Sequence, residues 1–161
     1  MDFLQKEMKT YISVLFHIVV FTFVIVTTTV VVHEYGHYFT GNMFGCTNTE
    51  IVLLDEKFET YTKMNCNGIG DTNTLLLQLS GFLFIIPFSL ALFMLSRYEK
   101  YHSFVVFGFN MIISSSDLSY AFASFNYVFM LAGAALIVYG ENLLVDRYIS
   151  MVDQVIVSSS N

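Results

Sequence analysis

Three ionisable residues with the spacing of a metal site, His33, Glu34 and His37, lie in the segment HEYGH. Histidines four positions apart project from one face of a helix, so that both imidazoles can bind one zinc ion. A glutamate directly after the first histidine is placed to act as a general base on a water at that ion. The pattern therefore predicts a Zn²⁺ site with His33 and His37 as ligands and Glu34 as the catalytic base.

The segment that precedes these residues has the composition of a membrane helix. No Asp, Glu, Lys or Arg occurs between Thr10 and Val32, and the run is too long for the core of a cleaved signal peptide. The 161-residue chain is 55% hydrophobic and 12% charged, which is roughly half the charge of a soluble domain. Its net charge of −6 offers no basic surface to nucleic acid. We therefore expect an integral multi-pass protein of the cell membrane that contacts the lipid bilayer and no nucleic acid.

Four apolar stretches reach, or nearly reach, the 20 or so residues that a spanning helix needs. They run from about Tyr11 to Phe44, from Thr74 to Ser96, from Ser103 to Ser124 and from Tyr127 to Val145. A tight turn at 124–126 joins the last two, and Gly81 and Pro87 indicate a kink in the second. The prediction is an all-α membrane protein with about four transmembrane helices. Its membrane-embedded domain covers residues 1–145, and residues 146–161 form a short polar and amphipathic tail.

The connection between the first two spans predicts a short β-hairpin, because β-type residues flank a charged turn between Ile51 and Lys63. If Leu54 faces Phe58, the same register places Cys46 opposite Cys66. In an oxidising compartment these cysteines would form a cross-strand disulfide. Two unrelated free thiols are an equal alternative.

A catalytic zinc site needs a third protein ligand and leaves its fourth position to water. The ionisable candidates are Asp117, Glu141, Asp71, His17 and His102. Asp117 lies about 14 residues, or roughly 21 Å, into a span that runs in the same direction as the first. HEYGH occupies the last third of that first span, so the two depths match, whereas Glu141 ends on the opposite side. We predict His33, His37 and Asp117 as the ligands, with a packing role for Asp117 as the alternative.

These residues resemble the site-2 protease family of intramembrane zinc metalloproteases. HEYGHYFTGNMFGC is similar to that family's HExGH helix, which continues with small residues and a glycine. The family carries HExxH on its first core span, a β-rich loop after it and a metal-binding Asp on its third, the order seen here over about Tyr11 to Ser124. Its second motif, Asn-x-x-Pro followed by Leu-Asp-Gly, is matched only in part by Asn110 to Leu118, which lacks the Pro and the Gly. The resemblance suggests a supporting role for Asn110.

The resemblance implies hydrolysis of a peptide bond within or near a transmembrane segment of a membrane-protein substrate. Glu34 would take a proton from water and deliver it to the leaving nitrogen. A helical substrate hides its carbonyls in internal hydrogen bonds, so it must first unwind. We expect the hairpin edge at Val52 and Leu53 to hold it extended by strand addition.

Other functions fit parts of the pattern. A gluzincin-type membrane protease would use a downstream Glu in an ExxxD pattern, but Glu141 to Asp146 is one residue too long for it. A catalytically inactive metal-binding scaffold is the alternative from another class, because four spans leave little bulk to gate water. A transporter fits less well, because it would carry ionisable residues in several spans.

The membrane orientation is contested, and the sequence leaves the oligomeric state open. The end of the bundle opposite the hairpin carries Lys6, Lys9, Arg97, Lys100 and Arg147, whereas the hairpin end carries Lys57 and Lys63. The positive-inside rule therefore places the hairpin outside. Members of the family usually hold zinc nearer the cytoplasm, which is the reverse. We lean slightly to the family's orientation.

Overall fold

The computed structural model describes residues 2–57, 59–95, 99–119 and 125–159. The described part contains four α-helices, one short 3-10 turn and one pair of strands. In chain order these are α1 (Asp2–Met43), β1 (Thr47–Val52), β2 (Tyr61–Asn65), α2 (Asp71–Leu95), the 3-10 turn (Glu99–Tyr101), α3 (His102–Ser119) and α4 (Phe125–Ser159). The prediction of a mostly helical fold with a hairpin between the first two helices is confirmed.

Three helices of the described chain are long and apolar enough to cross a membrane. They are the stretches Tyr11–Met43, Asp71–Met94 and Asn126–Val152 of α1, α2 and α4. The third predicted span, α3, does not reach the same criterion, because its 18 residues include Asn110, Asp117 and the serines 114–116. The structure thus shows three of the four predicted spans by length and composition.

Two predicted boundaries differ from the helices observed. α4 continues through most of the predicted tail and ends at Ser159, since no proline or glycine interrupts residues 146–159. It begins at Phe125, within the predicted turn at 124–126, whereas Ser124 lies outside the described residues. α2 runs as one helix through both Gly81 and Pro87.

The helices approach closely at small residues. A Cβ atom on Gly36 of α1 would lie 2.6 Å from the carbonyl oxygen of Ser80 in α2. Between α3 and α4, a Cβ on Gly108 or on Gly133 would collide with the carbonyl oxygen of the other glycine. Small residues at such crossings let two helix backbones pack against each other in lipid. α4 therefore packs along α3, while α1 packs on α2.

The interior and the exterior of the bundle are both apolar. Ile25 of α1, Ile85 of α2 and Val106 of α3 form a buried cluster that joins these three helices. On the outside, large apolar side chains are exposed, such as Phe23 (70%) and Leu131 (73%). A soluble monomer rarely carries apolar surface of this extent, and the exterior is therefore suited to lipid.

The hairpin pairs β1 and β2 in antiparallel fashion and closes with the Cys46–Cys66 disulfide, whose Cα atoms are 4.4 Å apart. The structure thus has the bonded alternative of the two cysteine states. The cysteine end follows the predicted register, with Thr47 opposite Asn65, but the register shifts by one residue before Glu50. Asn48 adopts a left-handed φ of 54° within this irregularity, as is common at a β-bulge. Phe58, the predicted partner of Leu54, lies outside the described residues.

Candidate metal centre

The helical repeat of α1 places His33 and His37 one turn apart on the face that packs against α2 and α3. Their Nε2 atoms are 3.2 Å apart, and the two rings meet edge to face. His33 is 1% exposed. Two imidazole nitrogens at this separation can share one ion.

Asp117 of α3 completes the group. Its Oδ2 atom is 3.0 Å from Nε2 of His33 and 3.3 Å from Nε2 of His37. Helix direction explains this meeting: α1 and α3 run parallel, because His102 at the start of α3 contacts Phe21, twelve residues before His33. Among the described residues, these three form the group that could hold a metal ion.

The other predicted candidates for the third ligand lie elsewhere. The carboxylate of Glu141 accepts a hydrogen bond from the hydroxyl of Thr22, with the two oxygens 3.1 Å apart. Thr22 precedes His33 by three helical turns, or about 16 Å along α1. His17 stacks on Phe21 in the same half of the bundle, and Asp71 is the first residue of α2.

In both histidines the nitrogen that faces away from the other ring, Nδ1, lies within hydrogen-bond distance of an acceptor. His37 Nδ1 lies 2.8 Å from the carbonyl oxygen of Leu77, which can only accept, so Nδ1 carries the proton. His33 Nδ1 lies 3.2 Å from Oδ1 of Asn110. The amide nitrogen of Asn110 donates to the carbonyl of Phe82 at 3.1 Å, which leaves Oδ1 to accept from His33. In neutral rings, both Nε2 lone pairs therefore point into the centre.

Three acceptors then converge at one point. Two imidazole lone pairs and a carboxylate oxygen within 3.3 Å of one another repel unless a cation lies between them. A proton can satisfy one pair of these atoms, whereas a metal ion can satisfy all three. This arrangement of hydrogen bonds behind the ligands is also the one that holds metal-binding histidines in place.

Gly81 of α2 leaves the space that such an ion needs. A Cβ atom at this position would lie 2.5 Å from Nε2 of His33 and 2.6 Å from Nε2 of His37. Any side chain here would press on the two nitrogens that face the centre. HEYGH gives no signal for this residue, because its contribution depends on how α2 packs against α1.

Glu34 lies beside the group and is 6% exposed. Its Oε2 atom is 2.8 Å from the hydroxyl oxygen of Thr62 on β2, which is also 2.9 Å from the Glu34 carbonyl oxygen. The remaining carboxylate oxygen, Oε1, has no hydrogen-bond partner given in the described part of the chain. Sequence reasoning missed Thr62, because nothing in the hairpin pattern indicates which side chain reaches α1.

A cavity of about 340 Å³ joins these residues. Helical residues form most of its wall, and β2 together with the residue before it forms the rest. The lining consists of His33, Glu34, His37, Leu77, Gln78, Ile113, Ser116 and Asp117 from the helices and Thr60, Tyr61, Thr62 and Met64 from the hairpin side. The site is thus a partly open cavity under the hairpin, lined by both polar and apolar side chains.

The structure brings together four of the predicted site residues, His33, Glu34, His37 and Asp117, and places Asn110 behind the first of them. It does not bring Val52 or Leu53 to the cavity. Val52 ends β1, where it pairs with Tyr61, and Leu53 follows it in an exposed position. The strand at the cavity is β2, because the hairpin packs on α1 through Thr62 and Met64.

No protein-family model, curated protein or solved structure matches this chain. Its function is therefore inferred from the residues of the cavity and from the helices that hold them.

Proposed function

We propose that the protein is an intramembrane zinc metalloprotease of the site-2 protease type. Its substrate would be a membrane protein cut within or near a transmembrane segment. One observation carries the proposal: two imidazole nitrogens, a carboxylate oxygen and a separate glutamate share one cavity among apolar helices.

The ligand atoms fit zinc in type and in spacing. Two histidines and one carboxylate form a common catalytic zinc set that leaves the fourth position for water. Tetrahedral ligands about 2.0 to 2.1 Å from zinc lie about 3.3 to 3.4 Å apart. The separations between Nε2 of His33, Nε2 of His37 and Oδ2 of Asp117 are 3.0 to 3.3 Å. Only small movements are needed to admit the ion.

We propose in addition that α3 crosses the membrane as a fourth span. Its 18 residues span about 27 Å, close to the roughly 30 Å hydrocarbon core of a bilayer. Asn110 and Ser114 are fully buried, so these polar groups face protein rather than lipid. We therefore propose a four-span protein of the cell membrane in which α3 is the inner helix.

Each residue of the site has a separate role in the proposed hydrolysis. Zinc, when bound, supplies Lewis acidity that lowers the pKa of water and polarises a carbonyl. Glu34 accepts the proton of the attacking water and passes it to the leaving nitrogen. Thr62 occupies Oε2 of Glu34 and so turns Oε1 towards the cavity. Asn110 and the Leu77 carbonyl hold the two imidazoles so that their Nε2 atoms keep facing the centre.

The hairpin offers a place for an extended substrate. β2 pairs with β1 on one side, and within the described chain no strand pairs with its other edge. Thr60, Tyr61 and Thr62 line the cavity, so a segment added to this edge would pass beside Glu34. Strand addition is thus assigned to β2 rather than to the edge at Val52 and Leu53.

The proposal is tested by replacing the base while keeping the metal. Purified protein loaded with zinc is incubated with apolar transmembrane peptides, and products are identified by mass spectrometry. Glu34→Gln should keep zinc and lose cleavage by about 10²- to 10⁴-fold, the usual contribution of general acid–base catalysis. Glu141→Gln, which changes an acidic residue remote from the cavity in the same way, should cleave at the wild-type rate.

The alternative is a catalytically inactive scaffold that binds metal and retains a membrane partner. The partly open cavity favours it, because a bundle of this size leaves little bulk to control the entry of water. Zinc-loaded wild type that cleaves none of the peptides at a rate above Glu34→Gln would contradict the protease and favour the scaffold.

A further inference from the structure

The hairpin and the metal centre lie at the same end of the bundle. β1 follows the end of α1, β2 precedes the start of α2, and β2 walls the cavity. His37 precedes the last residue of α1 by six positions, or about 9 Å. A bond cut at this centre would therefore lie close to the membrane face that carries the hairpin.

The disulfide indicates what lies beyond that face. Cys46 and Cys66 are joined at the base of the hairpin, and no free cysteine occurs in the chain. Structural disulfides persist in oxidising compartments, whereas the cytosol keeps thiols reduced. A hairpin closed in this way belongs on the non-cytoplasmic side of a membrane.

The distribution of basic residues gives the same orientation independently. The described basic residues at the end opposite the hairpin are Lys9, Lys100 and Arg147, to which the sequence adds Lys6 and Arg97. The hairpin end carries Lys57 and Lys63 alone. Cytoplasmic loops of membrane proteins carry the excess of lysine and arginine. The end opposite the hairpin is therefore the cytoplasmic one.

From these two observations we infer that the hairpin and the metal centre face an oxidising, non-cytoplasmic compartment. Resting on the proposed function, the inference also names the substrate class: membrane proteins cut at the non-cytoplasmic end of a transmembrane segment. The product released on that side would be the substrate's non-cytoplasmic part. This orientation is opposite to the one expected from the family resemblance.

The hairpin is connected to Glu34, so the compartment that it faces also affects the site. Thr62, which bonds the Glu34 carboxylate, lies on β2 four residues before Cys66, which directly follows the end of that strand. The disulfide thus holds the strand that contacts the base. In a reducing compartment that strand would lose its covalent tie to β1.

The orientation is tested with two matched substitutions, Lys57→Cys in the hairpin turn and Lys9→Cys at the other end of the bundle. Both replace an exposed lysine. Membrane vesicles sealed with their cytoplasmic face outward are treated with a membrane-impermeant maleimide before and after detergent. The wild-type chain, denatured in SDS, is treated with and without reductant as a measure of the disulfide.

We expect Lys9→Cys to label in sealed vesicles and Lys57→Cys to label at least tenfold more after detergent than before it. Wild type should label only after reduction. Labelling of Lys57→Cys in sealed vesicles, or labelling of unreduced wild type, would overturn the inference. The labelling does not depend on cleavage, so its failure is distinguishable from failure of the proposed protease, which the Glu34→Gln comparison measures.

Discussion

Asn110 bonds the ring nitrogen of His33 that faces away from the candidate metal centre, and we propose that it orients this imidazole. We expect Asn110→Ala to weaken zinc binding about 10- to 100-fold, the usual effect of removing a hydrogen bond behind a metal ligand. Competition with a chromogenic chelator measures the affinity. Ser114→Ala is the matched control, because that hydroxyl reaches the same amide oxygen only at 3.4 Å. Equal affinities for Asn110→Ala and wild type would contradict the assigned role.

The hydroxyl of Thr62 bonds Glu34, the proposed base, and none of the three proposed metal ligands. Thr62→Val keeps the shape of the side chain but removes the hydroxyl that bonds Glu34. A hydrogen bond to a charged group contributes about 1.5 kcal/mol or more, so we expect kcat to fall about tenfold while zinc content is unchanged. Thr62→Ser keeps the hydroxyl and should restore most of the rate. A Thr62→Ser variant as slow as Thr62→Val would show that the methyl group, not the hydrogen bond, matters.

The sequence predicts the residues whose chemistry depends on spacing and misses those that depend on packing. HEYGH can be recognised in the sequence because one helical turn separates its histidines. The choice of Asp117 as the third ligand follows from the predicted direction of the helices. Thr62 and Gly81 contribute through contacts between elements that are distant in sequence. No local pattern distinguishes Thr62 from other threonines of the chain, and the sequence indicates Gly81 only as the position of a kink.

Helix α2 approaches α1 so closely that Gly81 lies against the two imidazoles. We expect Gly81→Ala to displace His33 and His37 and to abolish stoichiometric zinc binding, because its Cβ would lie 2.5 to 2.6 Å from their Nε2 atoms. Gly70→Ala is the matched control, since a Cβ there meets nothing within 4 Å. Metal analysis of both purified variants measures the effect. A Gly81→Ala protein with full zinc content would contradict this role of α2.

The elements themselves were predictable where composition repeats a simple pattern. α1, α2 and α4 follow from long apolar runs, and the hairpin follows from β-type residues around a charged turn. α3 is less apolar than the candidate spans of these three helices, because it carries Asn110, Ser114 and Asp117, whose polar groups face the interior of the bundle. The choice of β2 as the cavity wall was not predictable, since the pattern of the hairpin does not show which strand packs on α1.

The molecule as a whole has an apolar exterior, and its interior carries a polar group of residues at the hairpin end. α1, α2 and α3 meet at a buried apolar cluster, and the metal centre lies beyond that cluster under the hairpin. α4 packs along α3, and none of its described side chains lines the cavity. Four ionisable side chains, His33, Glu34, His37 and Asp117, line this one cavity.

The most direct test of this account is the zinc content of the purified protein and of two acidic variants. Wild type should hold about one zinc ion per chain, as expected for a site with three protein ligands. Asp117→Ala should hold almost none, because it removes the oxygen that lies 3.0 Å from His33. Glu141→Ala, whose carboxylate bonds Thr22 instead, should keep the wild-type content. Full zinc content in Asp117→Ala, or its loss in Glu141→Ala alone, would contradict the metal centre described.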